Sequence, residues 1–500
     1  MHQIIKAGHM NEYMLHSLAD IYAELSVGRP IPNIRTAGGE RLTLERIEHW
    51  RDRLTENGLQ YGDRLLLLTA TSAESIAVMV AAWHLGVVIC PLPPQTREAS
   101  LRIIVKDCGA KAILDSATES WLPGVVSDKP VQFIYRTGPR VTGSDLALII
   151  YSSGSTGVPK GIMLSHANIM SALRSITGYL QLQAQDILLS VPPLHFDYGL
   201  YQVLFGFYVG CQVILAPPSC NAMQLLKLIA QEQPTVLPLV PALGAGLAKL
   251  GKTLKRQCDS VRLMTNTGGH MPEKVVRDLK AVFPAAGVML MYGLTESKRV
   301  MFLPVSQAEH KPDSVGKPMP GLEAKVFIQS LEKDKPVLIE CKPGEIGELY
   351  VRGSSVMQGY TRPESSAGAQ IIAGNYRDDN WLATGDLFSY DEDGDFYFRG
   401  REKELIKQAG FCLYPRTLEA VAEKHPEVLD CAVIGIRDED GDEHACLFVR
   451  AAVNLDKSSL VAWLNQHFDT PYLPRRVELI ENWPVNQNGK INKKQLVNLL

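Results

Sequence analysis

The chain has 500 residues, too many for a single hydrophobic core, so we expect at least two domains. Hydrophobic residues make up 46% of it and charged residues 21%, as in ordinary soluble globular proteins, and the formal net charge of −3 gives no support for nucleic-acid binding. No apolar run approaches the roughly 20 residues of a membrane span, and no secretory signal is recognisable, so we expect no membrane association. The nine cysteines form no Cys-x-x-Cys pair, which argues against a disulfide framework or a zinc site and favours a cytoplasmic protein.

Strand-like and helix-like segments alternate over roughly the first 300 residues. Parallel strands need a crossover connection, usually a helix, so this alternation predicts an α/β fold with mostly parallel sheets. Apolar residues recur at helical spacing between Met14 and Leu25. The predicted strands are Arg64–Ala70, Val87–Cys90, Lys111–Asp115, Leu146–Tyr151, Gln212–Ala216, Val236–Val240, Val261–Asn266 and Val288–Tyr292, and the first helices between them are Ser75–Leu85 and Leu101–Lys106.

The pattern changes from about Gly321, where shorter strands separated by turns are predicted, at Gly347–Gly353 and Asp395–Arg399. A compact α+β set follows Gly400. It comprises helices near Leu418–Lys424 and Leu460–Phe468 and strands at Ala432–Ile436 and Ala445–Val449. We therefore predict a large N-terminal domain over residues 11–400, containing a β-rich subdomain, and a small C-terminal domain over residues 401–500.

The predicted strand Leu146–Tyr151 runs directly into a loop of glycines and hydroxyls that a lysine closes, SSGSTGVPKG at 152–161. Glycines let backbone N–H groups approach phosphate oxygens, hydroxyls donate further hydrogen bonds, and the ammonium supplies positive charge. A flexible linker seldom follows directly on a buried strand, so the loop predicts polyphosphate binding. It is not a Walker P-loop, because Gly-Lys-Ser/Thr at the required spacing is missing.

This loop resembles the phosphate loop of the adenylate-forming superfamily, which comprises acyl-CoA synthetases, amino-acid adenylation domains and luciferases. The family usually shows Thr-Ser-Gly-Thr-Thr-Gly-x-Pro-Lys-Gly, from which Tyr151 and Ser155 depart. The resemblance implies that ATP and Mg²⁺ are bound. It also implies that the nucleotide-binding residues of the loop are Ser152, Ser153, Gly154, Ser155, Thr156, Gly157 and Lys160.

A second motif, MYGLTE at 291–296, ends the strand predicted at Val288–Tyr292 and resembles the family's Tyr-Gly-x-Thr-Glu. The resemblance implies that Tyr292, followed by Gly293, stacks on adenine, that Thr295 contacts the α-phosphate and that Glu296 helps to hold Mg²⁺. A hard cation does prefer carboxylate oxygen together with substrate phosphates. Gly268 and Gly269, at another predicted strand end, resemble the family's adenine-flanking segment.

Thr384-Gly385-Asp386 resembles the family's Thr-Gly-Asp motif, in which the aspartate accepts hydrogen bonds from both ribose hydroxyls, as a carboxylate can. The acidic run DEDGD at 391–395 follows it closely. A calcium-binding EF-hand loop needs glycine at its sixth position, where Phe396 stands, so we predict a hairpin turn instead.

The stretch GREKELIK at 400–407 resembles the hinge of the same family. The resemblance implies that Arg401 reaches the ribose and phosphate and that the small C-terminal domain is mobile and rotates about Lys403. Gln408-Ala409-Gly410-Phe411 matches the loop that this rotation brings to the site for thioester formation, where Gly410 would leave room for a pantetheine arm. Near the C-terminus, PVNQNGK at 484–490 matches Pro-x-x-x-x-Gly-Lys, which implies that Lys490 bridges the substrate carboxylate and the α-phosphate.

The substrate-pocket motif of the family corresponds to PPLHFDYGL at 192–200. Acyl-CoA synthetases often show Phe-His-x-x-Gly-Leu there, and aligning Gly199-Leu200 places Phe196 at the histidine position. Amino-acid adenylation domains often show Phe-Asp, with the aspartate pairing to the substrate ammonium, and Phe196-Asp197 fits that pattern. A buried carboxylate needs a cationic or donor partner, which a substrate ammonium or, alternatively, the backbone of the protein could supply.

Phe196 to Leu200 also resembles stand-alone ligases of biosynthetic clusters, including proline-activating ones that load carrier proteins. Our first hypothesis is an ATP-dependent, AMP-forming ligase that adenylates a carboxylic acid, with a small amino acid as the favoured substrate, and passes it to the phosphopantetheine thiol of a separate carrier protein. The second takes a fatty or aromatic acid to CoA. A P-loop ATPase is opposed by the missing Gly-Lys-Ser/Thr, and a non-catalytic nucleotide sensor by the presence of Glu296, Asp386 and Lys490.

Overall fold

The computed structural model describes residues 15–122, 140–153, 159–311, 313–332, 335–362, 370–373, 380–408, 411–438, 443–451, 455–485 and 491–500. Among these residues, no helix has both the length and the apolar content that crossing a membrane requires. The helices are α1 (Asp20–Ser26), α2 (Leu44–Glu56), α3 (Ala73–His84), α4 (Glu98–Cys108), α5 (His166–Tyr179), α6 (Asp197–Val209), α7 (Ala222–Glu232), α8 (Pro241–Thr253), α9 (Glu273–Val282), α10 (Pro415–Ala422), α11 (Lys457–Asn465) and α12 (Lys493–Leu496).

The strands fall into two large sheets, a β-rich subdomain and a C-terminal unit. They are β1 (Ile34–Thr36), β2 (Arg64–Leu68), β3 (Val88–Leu92), β4 (Ala112–Asp115), β5 (Ser120–Trp121), β6 (Leu146–Ser153), β7 (Pro159–Ser165), β8 (Ile187–Ser190), β9 (Gln212–Leu215), β10 (Val236–Leu239), β11 (Leu263–Asn266), β12 (Gly287–Tyr292), β13 (Met301–Leu303), β14 (Lys317–Pro318), β15 (Leu322–Glu332), β16 (Lys335–Glu340), β17 (Gly347–Gly353), β18 (Gly359–Tyr360), β19 (Gln370–Ala373), β20 (Asn380–Tyr390), β21 (Phe396–Arg401), β22 (Ile406–Gln408), β23 (Phe411–Leu413), β24 (Val428–Arg437), β25 (Glu443–Ala451) and β26 (Arg476–Leu479).

The two large sheets are mostly parallel at their centres. One has the order β18-β7-β6-β3-β2-β4-β5 and the other β1-β9-β8-β10-β11-β12-β13-β14. The strands from β1 to β12 in the second sheet are all parallel, as are β4, β2, β3 and β6 in the first. The predicted α/β class with a large N-terminal domain and a smaller C-terminal domain is therefore confirmed.

One continuous hydrophobic core joins the two large sheets. Helices α3 and α6 are apolar on nearly every side, which is typical of helices buried within a protein rather than packed on its surface. They share this core with side chains from both sheets, including Leu65, Ile89, Leu188 and Val213. Because the sheets are packed through these helices, the ends of their strands are held in fixed positions.

The β-rich subdomain is an antiparallel sheet of order β16-β15-β17-β20-β19, with β21 paired to β20. The acidic run turns the chain between β20 and β21, so the predicted hairpin is confirmed. Lys311 lies among its carboxylates, with Nζ at 2.8 Å from Asp391, 2.7 Å from Asp393 and 2.6 Å from Asp395. An ammonium of the chain itself thus offsets part of the negative charge of the acidic turn.

The residues after β21 form their own hydrophobic cluster, built on the sheet β24-β25-β26 and helices α10 and α11. A short 3₁₀ helix, Glu402–Glu404, connects β21 to this unit. The predicted boundary near Arg401 falls in this connection and stays a prediction. His270 of the N-terminal region lies 3.5 Å from the Glu423 carboxylate and so links the two parts of the chain.

Candidate active site

Several of the predicted site residues follow the carboxyl ends of strands in the second large sheet. Because β8, β10, β11 and β12 are parallel, their carboxyl ends meet at the same edge, where ligands of α/β proteins commonly bind. Asp197 follows β8, Gly268 and Gly269 follow β11, and Thr295 and Glu296 follow β12. The strand order therefore brings together residues that are about a hundred positions apart in the sequence.

Tyr292, Asp386 and Arg401 form the first group. The Tyr292 hydroxyl donates a 2.6 Å hydrogen bond to one Asp386 oxygen, and Arg401 Nε lies 3.2 Å from the other. Burial, together with the Asp386 carboxylate, raises the pKa of Tyr292 well above its usual value. The Arg401 side chain is 61% exposed, so it can reach a ligand from the surface. Asp386 on β20 and Arg401 on β21 are directly opposite each other in the antiparallel pair, which keeps their side chains close together.

Lys160, Glu296 and Tyr360 form the second group. The Tyr360 hydroxyl donates a 2.8 Å hydrogen bond to Glu296, and Lys160 Nζ lies 5.4 Å from the centre of the Tyr360 ring. Burial raises the pKa of the Glu296 carboxyl. Burial lowers the pKa of Lys160, the Lys403 charge lowers it further, and the Glu296 charge opposes both. Charges of both signs therefore lie close together here, and Tyr360 is a member that the motifs did not predict.

The predicted phosphate loop joins the antiparallel strands β6 and β7, on which Ser152 and Lys160 are directly opposite each other. Ser153 is the last residue of β6, and Pro159 begins β7. The other predicted residues of this loop lie outside the described residues, namely Gly154, Ser155, Thr156 and Gly157. Gly410 of the thioester loop and the predicted catalytic Lys490 also lie outside them.

Asp107, at the end of α4, ties strand β6 of this hairpin to the segment that follows β18. Its carboxylate accepts hydrogen bonds from Tyr151 on β6, at 2.6 Å, and from Thr361, and it forms an ion pair with Arg362. Thr361 also donates its backbone N–H to Gly161 of β7, at 2.8 Å. The segment that carries Tyr360 is thus tied to the phosphate-loop hairpin by a buried carboxylate.

The segment after β12 folds back sharply, which places Thr295 and Glu296 at the sheet edge. A Cβ on Gly293 would lie 2.0 Å from the carbonyl oxygen of Lys298, so only glycine fits at this position. Lys298 has a φ of +66°, in the left-handed region that residues with a Cβ rarely adopt. Gly293 of the Tyr-Gly motif is therefore needed for this fold of the backbone, whatever the ligand.

The predicted substrate residues Phe196 and Asp197 begin α6. Asp197 is buried, and its partner is a cation of the chain itself, since Lys298 Nζ lies 3.5 Å from Asp197 Oδ2. The same ammonium lies 4.9 Å above the Tyr201 ring. Burial lowers the pKa of Lys298. Sequence reasoning missed this residue, and the signal was the Lys298-Arg299 pair, which follows Glu296 after a single serine.

Further polar groups surround this pair. Arg299 stacks over the Tyr198 ring at 4.6 Å, and the Tyr198 hydroxyl lies 2.7 Å from Thr265 Oγ1. Burial lowers the pKa of His195 to about 4, so its ring is neutral at physiological pH. Among the described residues, several buried atoms have no hydrogen-bond partner, namely both His195 ring nitrogens, Tyr201 Oη, Lys298 Nζ and Arg299 Nε. Buried polar groups normally have partners, so these atoms indicate a place for water or ligand.

Two family models match the chain. The AMP-binding enzyme model matches residues 41–361, more than half of the chain, and the AMP-binding enzyme C-terminal domain model matches residues 417–490. Together they include the motif residues from Ser152 to Glu296, the additional Tyr360 and the predicted Lys490.

Relatives and solved structures extend over nearly the whole chain. A probable CoA ligase of Humulus lupulus is 27% identical over 93% of this chain and 89% of its own. An L-proline–[L-prolyl-carrier protein] ligase of Pseudomonas fluorescens is 29% identical over 97% of this chain and 98% of its own. The crystal structure of ATP-bound MatB from Rhodopseudomonas palustris has a TM-score of 0.78 at 25% identity, and the match covers 96% and 98% of the two chains. By their names, the two relatives use different thiol acceptors.

Proposed function

The chain belongs to the AMP-binding enzyme family and is an AMP-forming acid–thiol ligase, and we propose that it adenylates a small carboxylic acid and transfers it to a phosphopantetheine thiol. The observation that carries this proposal is the proximity of the two residue groups, since the charges of Asp386 and Arg401 both act on the Glu296 carboxyl. Tyr292, Asp386 and Arg401 suit a nucleoside, whereas Lys160 and Glu296 suit charged phosphates and a cation.

In the first proposed step, a carboxylate oxygen attacks the α-phosphorus of ATP, the bond to the β-phosphate breaks, and pyrophosphate leaves. Carboxylate and phosphate repel each other, so catalysis consists mainly of positioning and neutralising charge. Lys160 and Thr295 would contact phosphate oxygens, and Lys490 would bridge the two reactants. In the second step the thiol attacks the acyl carbon, the thiol proton is lost, and AMP leaves.

The Glu296 carboxylate fits a hard cation, because it offers oxygen ligands and has its pKa raised by burial, which a bound cation would offset. Mg²⁺ bound there would neutralise phosphate charge. Tyr360 would then keep the carboxylate oriented through its 2.8 Å hydrogen bond.

One candidate substrate is a small amino acid that is transferred to a separate carrier protein. Phe196 and Asp197 support it through their resemblance to the ammonium-binding pair of adenylation domains. The L-proline ligase of Pseudomonas fluorescens supports it as well, since it matches nearly the full length of the chain.

The other candidate is an acid without an amino group, fatty or aromatic, that is transferred to CoA. One specific observation favours it: Lys298 already lies 3.5 Å from Asp197 and so supplies the cation that a substrate ammonium would otherwise provide. The Humulus CoA ligase supports CoA as the acceptor.

Acid-dependent release of pyrophosphate from ATP tests the proposed function. Purified protein is incubated with ATP and Mg²⁺ and a panel of acids, each offered with and without a 2-amino group, and then with CoA or a phosphopantetheinylated carrier protein. We expect release of pyrophosphate to require the acid and release of AMP to require the thiol as well, with the two products formed in equal amounts over many turnovers. Release of ADP and phosphate instead would contradict the proposal.

A further inference from the structure

Lys298 is an unusual buried lysine. Its residue is 3% exposed and has a left-handed backbone, and its Nζ has no hydrogen-bond partner among the described residues. Its nearest charge is Asp197, and its nearest ring is Tyr201. Lysines are almost never fully buried unless they are paired, so this one calls for a specific reason.

We propose that Lys298 is a specificity residue that occupies the cation position beside Asp197, so that the enzyme selects carboxylic acids without an ammonium group. The inference rests on the proposed function, since it names the class of acid that the adenylation site accepts. It also assigns a role to Lys298, which none of the sequence motifs includes.

Charge is the first reason. The charged groups that act on the Lys298 ammonium are the carboxylates of Asp197 and Glu296 and the guanidinium of Arg299, so the two negative charges here are already matched by the two positive charges of Lys298 and Arg299. A substrate ammonium that reached Asp197 would lie beside Lys298, and two like charges at such a distance in a buried site repel strongly. An acid without an ammonium avoids this repulsion.

The supply of hydrogen-bond donors is the second reason. Lys298 Nζ, Arg299 Nε and Tyr201 Oη are buried and have no hydrogen-bond partner among the described residues, although Lys298 Nζ forms an ion pair with Asp197 at 3.5 Å. Donors left over in a pocket favour a ligand that offers acceptors, and an ammonium offers none.

The geometry argues against a purely structural ion pair. Buried ion pairs contribute to stability only when hydrogen bonds satisfy the remaining lone pairs and protons, and the Lys298 ammonium makes no such bonds among the described residues. A left-handed backbone at a residue other than glycine also costs free energy, and such outliers cluster at ligand sites. The missing hydrogen bonds and the left-handed backbone of Lys298 are both explained if its ammonium determines which substrate can bind beside Asp197.

The test compares acids in matched pairs that differ only by the 2-amino group, with acid-dependent pyrophosphate release as the measurement. For the wild type we expect kcat/KM for the amino-free acid to exceed that for its amino acid by about tenfold or more, the size of effect that one charged group gives. Lys298→Met should shift this ratio towards the amino acid by a similar factor. Lys298→Gln serves as a second uncharged variant if Lys298→Met does not fold.

Three controls separate specificity from stability. Lys298→Arg keeps the charge and should keep the wild-type ratio. Adding Asp197→Asn to Lys298→Met removes the partner of the incoming ammonium and should cancel the shift. Lys252→Met removes a lysine from an exposed ion pair with Asp278 and should change nothing.

A wild type that prefers the amino acids, or a Lys298→Met variant that loses activity equally with both members of each pair, would overturn the inference and leave the proposed function standing. Absence of pyrophosphate release with every acid would instead contradict the proposed function itself.

Discussion

At the scale of single residues, Tyr360 is the partner of Glu296 that no motif contains. Its hydroxyl donates a 2.8 Å hydrogen bond to the carboxylate, and this bond holds the pKa of Glu296 below the value that burial alone would impose. A carboxylate that contacts a cation and phosphates must be ionised and correctly oriented. We therefore regard Tyr360 as a positioning residue for Glu296.

Tyr360→Phe removes this hydrogen bond and keeps the ring beside Lys160. Hydrogen bonds to charged groups contribute about 1.5–3 kcal/mol, so kcat/KM for adenylation should fall by about tenfold to a hundredfold. Because the pKa of Glu296 rises when the bond is lost, the acid limb of the pH–rate profile should move to higher pH. Tyr390→Phe, which removes a hydrogen bond to the Cys341 carbonyl instead, is the matched control. An unchanged profile for Tyr360→Phe would refute the positioning role.

His166 makes the stability of the fold sensitive to acid. It is 1% exposed, its Nδ1 accepts the Leu18 N–H at 3.1 Å, and burial lowers its pKa to about 4. The unfolded chain binds this proton near pH 6.5 and the folded chain only near pH 4, so stability is lost as the pH falls below 6.5. We expect this histidine alone to remove about 2 kcal/mol between pH 7 and pH 5.

Denaturant unfolding at pH 7 and pH 5 measures this effect. His166→Gln should lower stability at pH 7 and reduce the loss between the two pH values, whereas His310→Gln, at an exposed position, should leave that loss unchanged. The same loss in His166→Gln as in the wild type would show that another group is responsible.

At the scale of elements, the Asp107 carboxylate ties the end of α4 to β6 and to the segment after β18. Asp107→Ala should lower the free energy of unfolding by about 2 kcal/mol, because it removes a buried carboxylate that accepts hydrogen bonds from Tyr151 and Thr361. Since the same carboxylate anchors the phosphate-loop hairpin, KM for ATP should rise as well. Asp52→Ala, in an exposed ion pair with Arg51, is the control and should change neither quantity appreciably. Loss of stability without any change in KM for ATP would make Asp107 purely structural.

Most of the parallel strands could be predicted closely from the sequence, because each is a short apolar run bounded by helices, but the parallel strands β1 and β8 were not predicted. The strand predicted at Val288–Tyr292 is observed at Gly287–Tyr292, and the strand predicted at Val236–Val240 at Val236–Leu239. Strand β7 was missed, because it begins with Pro159, and proline usually argues against a strand. As the first residue of β7, Pro159 is tolerated.

The candidate site could be predicted only in part, because a motif shows which residues are close in sequence and not which separate segments pack together. Motifs identify residues that are close in sequence, and parallel topology then explains why Asp197, Gly268 and Tyr292 meet. Nothing in the spacing links Tyr360 to Glu296 or Lys298 to Asp197, because those contacts depend on how separate segments pack.

At the scale of the whole molecule, the account requires two half-reactions that use different parts of the C-terminal unit. Lys490→Ala should abolish formation of the acyl-adenylate and leave ATP binding largely intact, because it removes the charge that bridges carboxylate and α-phosphate; losing one such donor costs on the order of 10²–10³ in rate. Acid-dependent pyrophosphate exchange and ATP titration measure the two quantities.

Lys403→Pro should have the opposite selectivity. If the C-terminal unit rotates about Lys403, a proline there restricts the backbone, spares adenylation and blocks thioester formation. Single-turnover assays of each half-reaction with the same preparation provide the comparison. Equal losses in both half-reactions would contradict the hinge assignment.

Oxygen transfer from the acid to AMP tests the central claim most directly. An acid labelled with ¹⁸O in its carboxylate is turned over with ATP and a thiol acceptor, and the nucleotide product is weighed by mass spectrometry. Attack of the carboxylate on the α-phosphorus leaves one carboxylate oxygen on AMP, so we predict AMP that carries one ¹⁸O. Label in inorganic phosphate, with ADP as the nucleotide product, would show attack on the γ-phosphorus and contradict the account.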